Sequence, residues 1–254
     1  MTDISIDLIK ELRNKTGVSI MQCKKALIEA EGDLEKAKIA LTKKSGEIAA
    51  KKGDRELGAG VVAIKNVDGK TIILEFACET DFVANNAEFR EVAEKVAEAV
   101  VKGNDTETLQ TEATQKFGER TEVVRSEIFE SSNLGSYVHN GVIGAIVEFN
   151  KEVDESFGKD IAMHIAAQNP KYLSEADIDE SEKTKAEETL REEVADKPAE
   201  MQEKILEGKM NSFFKERVLL TQGFIKDPSQ TIKSLLENNE VEIVKFVRFG
   251  VGEE

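Results

Sequence analysis

Few residues in this chain are of types that do chemistry, and they are scattered. Its two histidines, His139 and His164, and its two cysteines, Cys23 and Cys78, stand far apart. A structural or catalytic metal needs several such ligands at CxxC- or HxxxH-like spacing, and no cluster of that kind occurs, so neither a metal nor a cofactor is expected. The phosphate-cradling loops GxxxxGK[ST] and GxGxxG are missing, as is the GxSxG turn of a serine nucleophile. Among 50 carboxylates no pair separates itself from a solvated acidic face. The expectation is a protein that is not an enzyme. One stretch is unusual: "ACETDFVANNAEF", Ala77–Phe89, puts Asp81 and Phe82 between an apolar, strand-like run and the start of a helix. In one reading Phe82 is a staple under the following helix, with Thr80 or Asp81 as N-cap. In the other it protrudes, and an aromatic ring backed by a carboxylate can wedge into a partner and disturb a cation or phosphate site. Residue types alone leave both open.

The elements around that stretch can be read from periodicity. The first residues predict three short helices. One spans about Ser5 to Asn14, with Leu8, Ile9 and Leu12 at helical spacing, and ends at Thr16-Gly17. The second opens at Ser19, with Gln22 placed for a capping box, and turns Cys23, Ala26, Leu27 and Ala30 inward. The third is capped by Asp33 and carries Leu34, Ala37, Ala40 and Leu41. "KKSGEIAAKKGDRELGAG", Lys43–Gly60, has four glycines and no continuous apolar face, and reads as a linker whose lysine pairs could also touch an acidic or phosphate partner.

From Gly60 the period changes to that of strands. β-Branched runs flank an Asp68-Gly69 turn, the signature of a hairpin. A helix follows to about Lys102, with Phe89, Val92, Ala93, Val96, Ala97, Val100 and Val101 on one stripe, and Gly103 closes it. A weaker second copy follows: "GVIGAIVEFN" echoes "GVVAIK", and Ile161-Ala162 and Ile165-Ala166 match Val92-Ala93 and Val96-Ala97 in spacing. Ile178–Val194 and Pro198–Val218 read as two helices joined at Asp196-Lys197-Pro198, an antiparallel hairpin standing out as a coiled coil. "NNEVEIVKFVRFGVG" alternates as a closing strand. The predicted class is α+β: a three-helix module at 1–45, a linker at 46–59, and two related α+β subdomains at 60–139 and 140–254, the second carrying the helical hairpin at about 177–220.

Charge narrows the partners. The chain has 35 basic and 50 acidic residues, a net charge of −15, which disfavours direct binding of nucleic acid. A helix-turn-helix reading of the first three helices therefore yields to a protein-docking module. No run of about 20 apolar residues exists to span a membrane. The N-terminus "MTDISIDLIKEL" lacks an apolar run of signal length, and two unspaced cysteines suit a reducing compartment, so a cytoplasmic location is expected. His164, alone on a helix within "IAMHIAA", suits a hydrogen-bonded core position and an interface contact equally well.

Taken together, "LIKELRNKTGVSIMQCKKALIEAEGDLEKA", "ETDFVANNAEF", "GSYVHNGVIGAIVEF", "DIAMHIAAQNPKYL" and "FVRFGVGE" resemble, in order and over nearly the whole chain, bacterial translation elongation factor Ts. The resemblance implies a guanine-nucleotide exchange factor whose partner is the GTPase elongation factor Tu, with room for a higher-order complex of the two. It implies that the loop Thr80-Asp81-Phe82-Val83 enters the GTPase and that Asp81 and Phe82 perturb its Mg²⁺ and phosphate site. It further implies an N-terminal module like the ubiquitin-associated fold, docking through exposed Leu12, Ile20 and Met21, where members often carry Met in place of Ile20. Ile143, Gly144 and His164 would make further contacts, and the hairpin would reach another domain of the partner. Some members continue into an extra helical module after "VGE". The competing class is a ribosome- or chaperone-associated adaptor without exchange activity, which could lose the TDFV loop without harm.

Overall fold

The computed structural model describes residues 4–51, 56–196 and 198–253. The readings made above for Met1–Asp3, for the Lys52–Arg55 part of the linker, for Lys197 in the hairpin turn and for Glu254 lie outside the described residues. Helices and antiparallel sheet are both present, as an α+β class requires.

Three helices come first: α1 (Ile6–Thr16), α2 (Ile20–Glu29) and α3 (Leu34–Lys51). Each starts where a short polar side chain satisfies an orphan amide. Ser5 Oγ accepts from Leu8 N (3.2 Å), Ser19 Oγ from Gln22 N (3.4 Å) and Asp33 Oδ1 from Lys36 N (3.0 Å). Gly17, with φ 67°, terminates α1 in the left-handed conformation. Ile9, Leu12, Val18, Cys23, Leu27 and Ala37 close a small core between them. The linker reading of 46–51 is corrected, because α3 continues through Lys51. Glu47, Ala49, Ala50 and Lys51 are strong helix formers, and a single Gly46 costs about 1 kcal/mol, too little to stop a helix already propagating.

A sheet of order β1-β2-β3 follows, built from β1 (Ala59–Val67), β2 (Lys70–Cys78) and β3 (Thr121–Phe129). Asp68 (φ 52°) and Gly69 (φ 82°) make the two-residue turn of the β1–β2 hairpin, with Val67 opposite Lys70. Between β2 and β3 come α4 (Asp81–Ala84), α5 (Ala87–Val101) and α6 (Glu107–Phe117). The central strand β2 is buried almost throughout. Its Ile72, Leu74, Phe76 and Cys78 meet Phe89, Ala93, Val96 and Ala97 of α5 and Ala113 of α6. Phe76 stacks on Phe89 at 4.9 Å, and Phe117 meets Phe89 edge-on at 5.4 Å. Neither α6 nor β3 is anticipated by the sequence reading. The helix "ETLQTEATQKF" is mostly polar, and its place is set by packing against α3, α5 and β3, where its Ala113 is buried.

The other face of β2 carries one deeply buried charge. Glu75 is 2% exposed; its Oε2 accepts from Arg125 Nε (2.7 Å) and its Oε1 from Gly252 N (3.0 Å). Arg125 donates onward to Gly250 O (2.9 Å) and lies 4.6 Å from the Phe249 ring centre. The "FGVG" tail is thus fastened by a hydrogen-bonded ion pair, the form in which a buried carboxylate is tolerated.

The chain forms two compact units. The first holds everything up to Glu130 together with Asn140–Gly144 and the residues from Phe249 on; the second holds Ser131–His139 and Ala145–Arg248. The N-terminal helices therefore group with the first α+β subdomain, and 131–139 group with the second, both unlike the sequence division. The second sheet has the order β4-β5-β8, from β4 (Leu134–His139), β5 (Ile143–Phe149) and β8 (Ile243–Gly250), with most of each strand in the second unit, so the terminal strand does close the second sheet. Helix α7 (Glu155–Gln168) is capped by Asp154, whose Oδ1 accepts from Ser156 N (2.9 Å), and buries Ile161, Ala162 and Ile165. It lies so close to β4 that a Cβ on Gly135 would come within 2.2 Å of Gly158 O. Then come α8 (Glu180–Glu193) and α9 (Ala199–Arg217), tied together by Arg191–Glu203 (3.0 Å) and Lys209–Glu193 (2.5 Å). A two-stranded ribbon, β6 (Gly223–Phe224) with β7 (Asp227–Thr231), and α10 (Ile232–Asn238) complete the unit.

Candidate partner-binding site

Strand β2 ends at Cys78, and the chain must turn through a single helical turn, α4, before α5 begins. The antiparallel register sets what holds that turn, since Cys78 faces Thr121 across the β2–β3 ladder. Extending the same pairing beyond the ladder brings Glu79 and Thr80 beside Arg120 and Glu119. There the side chains take over. Thr80 N and Thr80 Oγ1 donate to the two oxygens of Glu119, at 2.9 Å and 2.6 Å. In return Arg120 N donates to Glu79 Oε1 (2.8 Å). The Cys78 thiol donates to Thr80 O (3.2 Å). Burial, reinforced by the Glu119 charge, pushes that thiol up to about 12, so it stays protonated and serves as a donor. On the far side Asn86 Oδ1 caps α5 through Glu88 N (2.9 Å).

The turn is therefore gripped at both ends, and its crown is bare. Ala84 is buried and Thr80 and Val83 half-buried, but Asp81 is exposed and Phe82 is 86% exposed. Burying a Phe side chain is worth about 1.5–3 kcal/mol, and this fold forgoes it at Phe82. The staple reading is thus overturned: the ring under α5 is Phe89, fully buried, and Thr80 spends its hydroxyl on Glu119 and makes no side-chain cap. Asp81 also borders a shallow recess with Gly60, Arg90 and Val142. Such a crown can offer an apolar ring and a carboxylate to another molecule with little loss of conformational freedom. Among the described residues no group of His, Cys, Asp and Glu could hold a metal, and no helix is long and apolar enough to cross a membrane.

The remaining site residues separate by burial. Ile20 and Met21 are 50% and 74% exposed at the start of α2, free to meet a partner. Leu12 is not, and its expected exposure is corrected: it is wholly buried against Cys23 and Leu27, because the Ile9/Leu12 stripe of α1 is the stripe that closes the module. Ile143 is half-buried, whereas Gly144 is buried and packed. A Cβ on Gly144 would fall 2.6 Å from Val62 Cγ1, so glycine there answers to a close approach to β1 and not to an exposed contact.

His164 is likewise corrected from interface to core. It is wholly buried, and both ring nitrogens are used within the second unit. Ile225 N donates to Nδ1 (3.2 Å), which leaves the proton on Nε2 to be donated to Gln222 Oε1 (3.0 Å). Burial holds its pKa below the ordinary value, the Gln222 bond opposing that only in part. The residues that sequence reasoning missed are Glu119, Arg120 and Glu79, which make the grip. Their signal lies in strand register, and no local spacing carries it.

Comparison with known proteins bears on the family of the chain. The family model described as elongation factor TS matches residues 79–253, a span that opens on the gripped turn and covers more than half of the chain. The elongation factor Ts of Halorhodospira halophila is 38% identical over 270 residues, covering 98% of this chain and 92% of the relative. By the family match and by that likeness together, the chain belongs to the elongation factor Ts family.

Proposed function

We propose that this chain drives GDP from the translational GTPase elongation factor Tu by setting Phe82 and Asp81 beside the Mg²⁺ and phosphate site of that partner. Elongation factor Ts is a nucleotide exchange factor for elongation factor Tu and not a catalyst of a chemical reaction. No reacting group is needed: a protein that binds the empty GTPase more tightly than the GDP form weakens GDP by the same factor. Disturbing a bound Mg²⁺ removes the largest positive charge near the diphosphate. A thousandfold loss of affinity corresponds to about 4 kcal/mol. A desolvated aromatic anchor together with lost metal coordination is of that order.

The observation that carries the reading is Phe82, 86% exposed on a turn gripped from both sides. Thr80 and Val83 hold the crown in register. Ile20 and Met21 supply an exposed apolar patch, on which we place the docking of the three-helix module as a ubiquitin-associated-like unit, with Ile143 adding contact. Helices α8 and α9, cross-linked by ion pairs, suit a coiled-coil arm that reaches a second region of the GTPase.

Stopped-flow release of a fluorescent GDP from the GTPase tests this. Phe82→Ala touches no core, so the fold stays intact. Release should slow roughly thirtyfold or more, the equivalent of a hot spot of about 2 kcal/mol, while binding to the nucleotide-free GTPase falls far less. Release at the unaltered rate would remove Phe82 from the mechanism.

A further inference from the structure

We propose that a lysine-lined recess in the first unit binds a phosphate-chain anion, inorganic polyphosphate or the phosphate chain of a nucleotide. The recess holds about 300 Å³, room for several linked phosphates. One wall is the end of α1 and the outer face of α3, with Lys15 and Lys38; the other is α5 and α6, with Lys95 and Lys116. Across the chain acidic residues outnumber basic ones 50 to 35. Four lysines and one carboxylate, Glu112, line the recess, and with Glu11 and Glu88 paired to Lys15 and Lys116 the local balance is still one positive charge.

Two of the four ammonium groups are engaged. Lys15 pairs with Glu11 (2.9 Å), and Lys116 pairs with Glu88 (3.2 Å). Lys38 and Lys95 have no ion-pair partner among the described residues, and they stand on opposite walls. A multivalent anion seated between them satisfies both, whereas a monovalent ion satisfies one. Asn14 adds a neutral amide donor. The carbonyl end of α1 and Glu112 oppose an anion, and the net charge of the chain repels it at long range. At physiological ionic strength that long-range term is screened beyond about 8 Å, so the ammonium groups of the recess decide. Because the two walls come from the N-terminal helices and from the α5–α6 layer, an occupant would tie one to the other. The inference stands apart from the exchange reading, since it uses none of the residues assigned to the turn.

The test is calorimetric titration of the full chain with inorganic triphosphate, and separately with ATP, without Mg²⁺ and at matched ionic strength. Saturable binding is expected. Lys38→Gln with Lys95→Gln should weaken it roughly tenfold or more, through loss of charge-assisted contacts. Both side chains are exposed, so the thermal transition of the double variant without ligand should not move. Glu112→Gln should tighten binding. Triphosphate binding as tightly as ATP assigns the recess to the phosphate chain alone, and ATP binding tenfold tighter assigns it to the nucleotide. No saturable binding, or binding unchanged in the double lysine variant, would overturn the proposal.

Discussion

Glu119→Ala separates the two ideas on which the proposed exchange mechanism rests, an exposed ring and a rigid stem. It leaves Phe82 untouched and removes both acceptors of Thr80, at 2.9 Å and 2.6 Å. Hydrogen bonds to an ionised group contribute about 1.5–3 kcal/mol each when desolvated. Thr80 and Glu119 are half-buried, and water replaces part of what is lost, so the pair together is worth about 2 kcal/mol. That quantity has a local readout. The Thr80 amide should exchange its hydrogen roughly thirtyfold faster, since 1.4 kcal/mol is one decade. Global stability changes less, because the β2–β3 ladder ends at Cys78–Thr121 and stays paired. GDP release from the GTPase should fall by a comparable factor, since a turn that wanders presents its ring in the right place for a smaller fraction of the time. Thr80→Val removes only the hydroxyl contact and should fall between wild type and Glu119→Ala. If Glu119→Ala frees the Thr80 amide yet promotes GDP release at full rate, the rigidity of the stem is irrelevant to exchange. If the amide stays protected, the grip itself is misread.

Other outcomes follow from burial. Leu12→Ala should destabilise the three-helix module by about 2–5 kcal/mol, seen as hydrogen exchange spreading through α1–α3, while Met21→Ala should leave stability unchanged and weaken titration binding to the nucleotide-free GTPase. Gly144→Ala should destabilise the first unit by about 1–3 kcal/mol, measured by denaturant unfolding, because its methyl meets Val62. For His164 the pKa in the fold lies below the ordinary value of 6.5, so the unfolded chain takes up the proton first. The second unit should hold full stability above about pH 6.5 and lose up to about 1.4 kcal/mol per pH unit as pH falls below it, a slope absent from His164→Gln. Stability independent of pH between 6.5 and 5.5 would contradict the buried neutral imidazole.

What the sequence disclosed, and what it withheld, divides along a physical line. Ser5, Ser19, Asp33, Gly17 and Asp68-Gly69 act on their immediate neighbours, and each does what its local chemistry requires. The α5 stripe was legible because a 3.6-residue period is itself a local quantity. Burial is different, because it depends on what the rest of the chain brings to a given face. Leu12 and Met21 are both apolar residues on short amphipathic helices, and only the packing of α1 against α2 and α3 makes one core and the other surface. Gly144 carries no mark that Val62 will approach it, and His164 none that Gln222 and Ile225 will claim both of its nitrogens. Phe82 and Phe89 make the same point within a single motif. Either ring could have filled the space beneath α5, and Phe89 fills it against Phe76. A core that already has its ring leaves Phe82 without an inward site, and Glu119, supplied by register from 39 residues away, keeps the turn from folding down to hide it.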